Sequence, residues 1–254
     1  MKIEKYIKDK QNKYKVIIDS DEYILYDDVI IKYNLLMKKE IDESTFKELL
    51  ELNEELKSYY DSIKYINKKL RSKKEIEEYL TKKGISTSVI NKTINRLIKT
   101  NYLNDDVYFK AYINDQINLS NNGPKKILKN LINLGFDEIK IKEKIDEIDD
   151  SIWSDKIDKY IEKKIKGNHN SSSNMLRMKI VTDLVNLGYH KEIINEHVSN
   201  LKINEEDILK KEYEKAKRTL EKKYSGVELN KKIREKLYRK GFKISSLEEV
   251  LYEE

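Results

Sequence analysis

Residues 71–106 read RSKKEIEEYLTKKGISTSVINKTINRLIKTNYLNDD and predict two helices joined at a glycine. Gly84 stands where the first helix must end, because glycine adopts the left-handed conformation that closes a helix without a side-chain clash. Ser72 and Glu75 have the spacing of a capping box, which marks the start of the same helix. Apolar residues recur at intervals of three and four and so share one face of each helix. They are Ile76, Tyr79 and Leu80 in the first helix, and Ile85, Val89, Ile90, Ile94, Leu97 and Ile98 in the second.

The same pattern recurs three more times along the chain. Gly84, Gly135, Gly188 and Gly241 are 51, 53 and 53 residues apart, and apolar residues occupy matching positions around them. A period of about 50 residues in a helical pattern is typical of an array of small modules, each too small to bury its own apolar face well. The matching positions are eight before the glycine (Ile76, Ile127, Ile180, Ile233), four before it (Leu80, Leu131, Leu184, Leu237), one after it (Ile85, Phe136, Tyr189, Phe242), six after it (Ile90, Ile141, Ile194, Leu247) and ten after it (Ile94, Ile145, Val198, Leu251).

The first 25 residues differ from the rest and predict a small antiparallel β meander of two or three strands. Short runs rich in β-branched and aromatic residues are separated there by polar segments, the second of them at 19–22. An isolated hairpin is marginal in water, so we expect the meander to rest on the helices that follow. The predicted fold is therefore mainly α, with this meander followed by a tandem array of four three-helix modules. The expected boundaries are 1–55 for the meander and its helices, and 56–106, 107–152, 153–204 and 205–254 for the four modules.

Local signals mark further helix starts and one linker. Pro124, the only proline, stands at the expected first position of a helix, where proline is best tolerated. Asp137 is expected to cap the next helix, and Ser225 with Glu228 has the spacing of a second capping box. Residues 167–174, GNHNSSSN, form the most polar linker and predict a hinge between two halves.

Composition narrows the class of protein. Seven glycines and one proline in 254 residues argue against a turn-rich β protein, and the absence of cysteine leaves no disulfide and no thiolate metal site. No apolar run approaches the roughly 20 residues of a membrane span, and the first residues lack a signal-peptide core. We therefore expect a cytoplasmic protein that does not enter a membrane.

The usual signals of catalysis are lacking. The sequence has no phosphate-binding GxxxxGK[ST] loop, no GxGxxG and no nucleophile elbow. His190 and His197 lie near Glu192 and Glu196, but exposed helical residues are the ordinary explanation of such a group. The acidic runs lack the spacing of a calcium loop. We expect no enzyme activity, no cofactor and no metal site.

Three signatures together resemble the RecX family of regulators of the RecA recombinase, in the longer form found in Gram-positive bacteria. They are RSKKE at 71–75 with Leu80 and Lys83-Gly84, YLND at 102–105, and GPKKI at 123–127 with Leu131 and Gly135. The segments YKVIIDSDEYIL and KKIREKLYRKGF also look like their counterparts, so the resemblance covers essentially the whole chain. Asn101 stands where the family usually has glycine.

The resemblance implies a non-catalytic protein that lies in the groove of the RecA filament on single-stranded DNA. Such proteins alter filament growth, ATP hydrolysis and strand exchange, generally as inhibitors, in homologous recombination, DNA repair and the SOS response. The implied partners are the RecA nucleoprotein filament and single-stranded DNA, with double-stranded DNA as an alternative, and we expect a monomer. Two other classes stay open. One is a helix-turn-helix transcription regulator, since each glycine joins two helices in that manner, and the other is a structural helical adaptor.

Basic residues at the start of each second helix are the candidate contacts for DNA or RecA. Residues 56–106 carry 12 Lys and Arg against 6 Asp and Glu, a net +6, which equals the net charge of the whole chain. Cations at a helix N-terminus oppose the helix macrodipole, so local helix stability does not explain them. The alternative to a role in binding is that these residues simply lie on solvated helix faces. The candidates are Arg71, Lys73, Lys74, Lys125, Lys126, Lys129, Arg177, Lys179, Lys231, Lys232 and Arg234.

Aromatic residues could stack on bases, but their positions in the repeat favour a place in the core. These residues are Tyr79, Tyr102, Tyr108, Phe109, Tyr112, Phe136 and Phe242.

Overall fold

The computed structural model describes residues 1–9 and 12–243, which form one small sheet and a series of helices. The expected core positions Leu247 and Leu251 lie outside these residues. The strands are β1 (Ile3–Lys8), β2 (Lys13–Ile18) and β3 (Asp21–Tyr26). The helices are α1 (Asp27–Lys32), α2 (Glu43–Ile66), α3 (Lys73–Lys82), α4 (Thr87–Lys99), α5 (Asp105–Leu119), α6 (Pro124–Asn133), α7 (Glu138–Asp146), α8 (Asp150–Lys166), α9 (Ser173–Asn186), α10 (Lys191–Ser199), α11 (Glu206–Leu220) and α12 (Gly226–Arg239), with a short 3-10 helix at Leu35–Met37.

The three strands form the predicted antiparallel meander, in the order β1-β2-β3. Asp19 and Ser20 make the turn between β2 and β3, and both have positive φ, at 47° and 71°. Two consecutive left-handed residues are what a two-residue hairpin turn needs to match the twist of its strands. The buried side of the sheet packs with α1 and α2, so the meander rests on the following helices as expected. Its core contains Val16, Ile18, Leu25, Val29, Ile30, Leu35, Leu49 and Leu56.

A single long helix, α2, links the sheet region to the first module. No glycine or proline interrupts residues 43–66, so nothing in the backbone breaks the helix there. Asp42 caps it, by accepting a hydrogen bond from the amide of Thr45. Asn53 ties α2 to β3 by donating to the carbonyl of Ile24 at 2.9 Å and accepting from the amide of Tyr26 at 3.0 Å. The helix runs without a break through the expected boundary at 55/56.

The repeated apolar positions form the cores of the helical modules. Within the described residues, every isoleucine and leucine eight and four residues before a repeat glycine is buried, and so are the residues six and ten positions after it. Ile98 and Tyr102 are exceptions to the predicted core, with 49% and 41% of their surface exposed. Ile98 points away because it follows the buried Leu97 by about 100° of helical rotation. Tyr102 lies beyond the end of α4.

The turn glycines also contact the preceding module. A Cβ on Gly188 would lie 2.5 Å from the amide nitrogen of Lys126, and one on Gly135 would lie 3.3 Å from Cβ of Lys74. A Cβ on Gly241 would lie 2.7 Å from Oγ of Ser172. Gly84 has no such neighbour within 4 Å, and no module precedes its own. We call each of these three contacts a joint: the start of one second helix against the glycine turn that ends the next second helix.

Hydrogen bonds at the joints run from the start of one helix to the last carbonyls of another. Ser172 Oγ donates to the carbonyl of Lys240 at 2.9 Å. The amide of Gly123 donates to Leu187 O at 2.7 Å, and the amide of Lys125 donates to the carbonyl of Gly188 at 3.0 Å. Each joint therefore brings the positive end of one helix dipole to the negative end of another, and at the Gly188 joint backbone amides of one helix satisfy orphan carbonyls of the other.

The four predicted helix starts are all correct, but one of the predicted caps is not formed. Ser72 and Glu75 form a complete capping box, α6 begins at Pro124, and Asp137 accepts a hydrogen bond from the amide of Lys140 at 3.0 Å. Ser225 makes no side-chain hydrogen bond to α12, so the second capping box was wrong. Asn101 has φ 60°, a left-handed conformation that asparagine tolerates better than most residues do.

Two compact units make up the chain. Of the described residues, the first contains 1–9, 12–112 and 133–136, and the second contains 113–132 and 137–243. The loop 167–174, predicted as a hinge between two halves, lies inside the second unit. Its Ser172 is buried and caps α9 by accepting from the amide of Met175 at 3.3 Å.

Candidate nucleic-acid interface

The candidate cations of the first module are largely engaged within the fold. Arg71 lies 3.0 Å from the carboxylate of Glu75, and its guanidinium stacks 4.0 Å from the ring centre of Tyr65. Lys74 Nζ donates to the carbonyl of Asn133 at 2.9 Å, across a joint. Lys73 is exposed, with its ammonium 3.8 Å from Glu77. Lys73 and Lys74 are thus both exposed, but the ammonium of Lys74 is bound to a carbonyl of the fold.

In α6 and α9 the candidates divide between structural and exposed positions. Lys125 and Lys126 belong to a joint through their backbones, whereas the side chains of Lys125 and Lys129 are exposed. The Arg177 guanidinium donates to the carbonyls of Val198 and Leu201 and so closes the C-terminal end of α10. Lys179 is exposed in the middle of α9.

On α12, Lys231 and Arg234 are exposed, and the half-buried Lys232 lies 3.1 Å from Glu235. None of these α12 cations lies at a joint within the described residues.

Packing at the joints explains some of the cations at helix N-termini, which the dipole of each helix taken alone does not explain. A cation at the N-terminus of α3 opposes the dipole of α3, but Lys74 lies at the last carbonyl of α6, where the dipole favours a cation. The packing between modules therefore provides a structural role for Lys74. Contact of the exposed candidates with DNA or RecA stays a prediction.

A basic groove lies between the end of α8, the following loop and α9. Its cavity volume is about 510 Å³, and none of its lining residues carries a carboxylate. The last turn of α8, the loop and α9 supply its six most polar groups: Lys163, Lys164, Lys179, His169, Asn168 and Asn170. With Asn121, which also lines it, the groove therefore has three ammonium groups, an imidazole and three amide side chains in its walls.

Contacts beneath the groove hold its walls in place. Asp183 of α9 accepts hydrogen bonds from Lys164 at 2.8 Å and from the Tyr160 hydroxyl at 2.9 Å, both on α8. The hydrogen bond from Lys164 lowers the pKa of Asp183, and that same bond raises the pKa of Lys164, so both groups stay charged at neutral pH. Asn168 bridges the loop by accepting from the amide of Ser171 at 3.0 Å and donating to its carbonyl at 2.8 Å.

A depression in the first unit has the opposite character. Glu48, Glu51 and Glu55 line it along α2, together with Lys32 and Lys92. Lys92 lies 3.9 Å from Glu51, and Arg96 lies 4.0 Å from Glu55. Its glutamates outnumber its lysines, and Lys92 is paired with one of them. This depression therefore attracts anions less than the basic groove does.

Most of the groove could not be recognised in the sequence. Lys179 was among the predicted contacts, whereas residues 167–174 were predicted only as a polar linker, directly after the lysines of KKIK at 163–166. The available signal was a run of lysines leading directly into an amide-rich loop. That signal was ambiguous, because lysines in a last helical turn are also favoured by the macrodipole.

Metal sites and membrane-spanning helices are not found in the described part of the chain. No three His, Cys, Asp or Glu side chains come together there in a way that could hold a metal ion. His197, predicted as an ordinary helix residue, lies 2.7 Å from Asp158. Residues 1–9 and 12–243 also contain no helix that combines the length and the apolar character needed to cross a bilayer.

Comparison with known proteins identifies relatives over nearly the whole chain. The family model described as "RecX, first three-helix domain" matches residues 59–97. "Regulatory protein RecX" of Bacillus cytotoxicus is 30% identical over 229 residues, which cover 87% of this chain and 83% of the relative. The protein of the same name from Bacillus cereus (strain 03BB102) is 30% identical over 255 residues, covering 95% and 93%.

Two solved structures of RecX proteins are similar to the fold of this chain. A "Crystal structure of regulatory protein RecX" has a TM-score of 0.69 at 19% identity, and the match covers 79% of this chain and 99% of that one. RecX from Lactobacillus salivarius has a TM-score of 0.53 at 28% identity, covering 58% of this chain and 96% of that one. The first of these likenesses supports the fold.

Proposed function

Because this chain belongs to the RecX family of regulatory proteins, we propose that it is a non-catalytic regulator of the RecA recombinase. In this proposal it binds in the groove of the RecA filament on single-stranded DNA and lowers ATP hydrolysis, filament growth and strand exchange. The observation that carries the proposal is the 30% identity to proteins named regulatory over 87% to 95% of the chain.

The physical character of the molecule supports this role. Tandem modules, repeated along the sequence, can offer many contacts spread along a polymer rather than one deep site. Exposed lysines and arginines on α3, α6, α8, α9 and α12 suit weak phosphate contacts, each of which adds to affinity by releasing counterions. No cluster suited to holding a metal is found among the described side chains.

The charges on the third helices make the helix-turn-helix alternative less favourable. In that motif the first residues of the second helix of the pair enter the major groove. Of the three described third helices, α7 and α10 carry an exposed glutamate in this first turn, Glu138 and Glu192, whereas α4 carries no acidic residue there. Carboxylates at that place would be repelled by the phosphates on both sides of the groove.

The test is the DNA-dependent ATP hydrolysis of RecA, measured while this protein is added at less than one molecule per RecA. We expect the rate to fall, since a protein that spans several RecA subunits acts below equimolar ratio. An unchanged rate at every ratio would contradict the proposal. Preferred binding to one palindromic duplex would favour a transcription regulator instead, and single-stranded DNA binding that is absent or independent of salt would favour an adaptor.

A further inference from the structure

We propose that the basic groove between α8 and α9 binds the phosphate backbone of single-stranded nucleic acid. This inference rests on the proposed function for its choice of polyanion, while the groove itself is defined by its residues. Sequence analysis placed the nucleic-acid contacts at the starts of the second helices. The groove lies instead at the C-terminal end of α8, which is the first helix of the third module, and at the loop that follows α8.

The strongest feature of the groove is its unbalanced charge. Lys163 and Lys179 line it from α8 and α9, and within the described residues neither ammonium group makes an ion pair or hydrogen bond, although the Lys179 charge also acts on Asp183. Lys164 is paired with Asp183, which does not line the groove, and it also contacts Tyr160 of its own helix, an uncharged partner. Like charges converging on one concave surface concentrate a positive potential that attracts anions.

The helix dipole explains only part of this cluster. Lys163 and Lys164 lie in the last turn of α8, where cations are stabilised by the C-terminal carbonyls. Lys179 lies in the middle of α9, where the dipole has no such effect. The meeting of these lysines from two helices therefore has no local explanation.

Uncharged donors complete an anion site. The backbone amides of His169 and Asn170 make no hydrogen bond within the described part of the chain. Both residues line the groove, as do the side chains of Asn168 and Asn121. Backbone amides and asparagine side chains are common donors to phosphate oxygens in nucleic-acid complexes.

A second depression extends the basic surface along α8. Lys159, Lys163 and Lys166 line it at helical intervals of four and three, with Glu162 as its single carboxylate, and its volume is about 310 Å³. Lys163 belongs to both depressions. An extended polyanion can therefore pass from one to the other, whereas a single small anion would fill only one.

The lining favours a nucleic-acid backbone over an acidic protein segment. Protein interfaces usually contain buried aromatic or aliphatic anchors at their centre. The only aliphatic lining residue, Leu176, is already buried in the protein, and the hydroxyl of the only aromatic one, Tyr160, is bound to Asp183. A partner that offers charge without apolar side chains fits this surface best.

The experiment measures binding of oligothymidylate to the full chain as a function of salt concentration. The double variant Lys163→Gln/Lys179→Gln removes two cations of the groove. Lys191→Gln/Lys210→Gln is the matched control, since it removes the same charge from exposed positions of the same unit outside the groove. We expect the groove variant to reduce the salt slope by about 1.4 and the affinity at ~0.1 M salt by about 25-fold, while the control changes both only slightly.

A third variant is expected to act in the opposite direction. Asp183→Asn removes the carboxylate that neutralises Lys164, so binding of oligothymidylate should tighten by about fivefold, the effect of roughly one added contact at ~0.1 M salt. Damage to the fold would not produce tighter binding, so this variant distinguishes a loss of contact from a loss of structure.

Several outcomes would overturn the inference. They are equal losses in the groove and control variants, unchanged binding in all of them, duplex DNA binding as tightly as oligothymidylate, or competition by poly-glutamate as effective as that by oligothymidylate. If the groove variant binds DNA normally yet RecA inhibition persists in the wild type, the groove assignment fails and the proposed function stands. If the groove variant loses DNA binding while the wild type has no effect on RecA, the reverse holds.

Discussion

Gly188 lies against the amide nitrogen of Lys126 so closely that a Cβ on this glycine would be 2.5 Å away from it. The carbonyl of Gly188 accepts from the amide of Lys125, and the carbonyl of the preceding Leu187 accepts from the amide of Gly123. Gly188 thus lies in the turn that ends α9 and packs against the start of α6. At Gly188 and Gly241 the repeat glycine is needed for space between modules as well as for its positive φ.

We expect Gly188→Ala to be much more destabilising than Gly84→Ala. Both positions have positive φ, at 91° and 77°, so both substitutions cost about 1–2 kcal/mol of backbone strain. Only at position 188 does the new Cβ also clash with backbone, which should add about 1–3 kcal/mol. Urea denaturation followed by circular dichroism compares the two.

Hydrogen exchange adds a local test of the same joint. In Gly188→Ala the amides of Gly123 and Lys125 should lose protection, because their acceptors lie at the joint. In Gly84→Ala these two amides should exchange as in the wild type. Equal destabilisation by the two substitutions would show that the joint contributes little.

Lys156 should be important for the end of α5. Its ammonium donates to the carbonyls of Gln116, Ile117 and Ser120, each at 2.8 Å, and burial lowers the pKa of Lys156. Lys156→Met keeps the length of the side chain but leaves these carbonyls without their donor. We expect a loss of about 1–3 kcal/mol in the free energy of unfolding.

Lys156→Arg is the control for this prediction, because a guanidinium can still donate to carbonyl oxygens. Thermal denaturation should place its stability between those of the wild type and Lys156→Met. A methionine variant as stable as the wild type would mean that water satisfies the three carbonyls equally well.

The stability of the last described module should depend on pH through Glu212. This carboxylate has 3% of its side-chain surface exposed, and it accepts hydrogen bonds from Lys215 at 2.7 Å and from Lys240. The hydrogen bond from Lys215, followed by that from Lys240, lowers the pKa of Glu212. A lowered folded-state pKa means that the stabilisation is present above the unfolded pKa and is lost as pH falls through the folded pKa.

Glu212→Gln should therefore be less stable than the wild type by about 1–2 kcal/mol at pH 7. The difference should shrink as the pH falls below about 4, because the wild-type carboxylate then becomes protonated. Glu214→Gln, an exposed position on the same helix, should show no such difference. Urea midpoints measured from pH 3 to pH 7 check both variants, and a difference independent of pH would exclude the charge as its cause.

Periodicity explains why so much of the fold could be predicted. The positions of Ile76 and Leu80 and their equivalents repeat in register, and apolar residues at helical spacing can hardly avoid a shared core. Capping signals at Ser72, Pro124 and Asp137 were also correct, since they act through neighbours three or fewer residues away. The exception was the capping box at Ser225, whose side chain makes no hydrogen bond to α12.

The candidate site was predicted much less well, for a physical reason. Lys163 and Lys179 are 16 residues apart, and their convergence depends on the packing of α9 against α8. The joint between Lys74 and Asn133 spans 59 residues. No local pattern encodes such distances, so a lysine that lines a groove and a lysine that caps a neighbouring helix look the same in the sequence.

The amino-acid sequence by itself determined the module length, the turn glycines and the buried face of each helix, because these follow from interactions between residues close along the chain. Tertiary structure alone decided which basic residues serve the joints, which point into solvent and where an uncompensated positive surface lies. Those properties depend on which helix ends and faces meet, and this is settled by packing between segments that are distant in sequence.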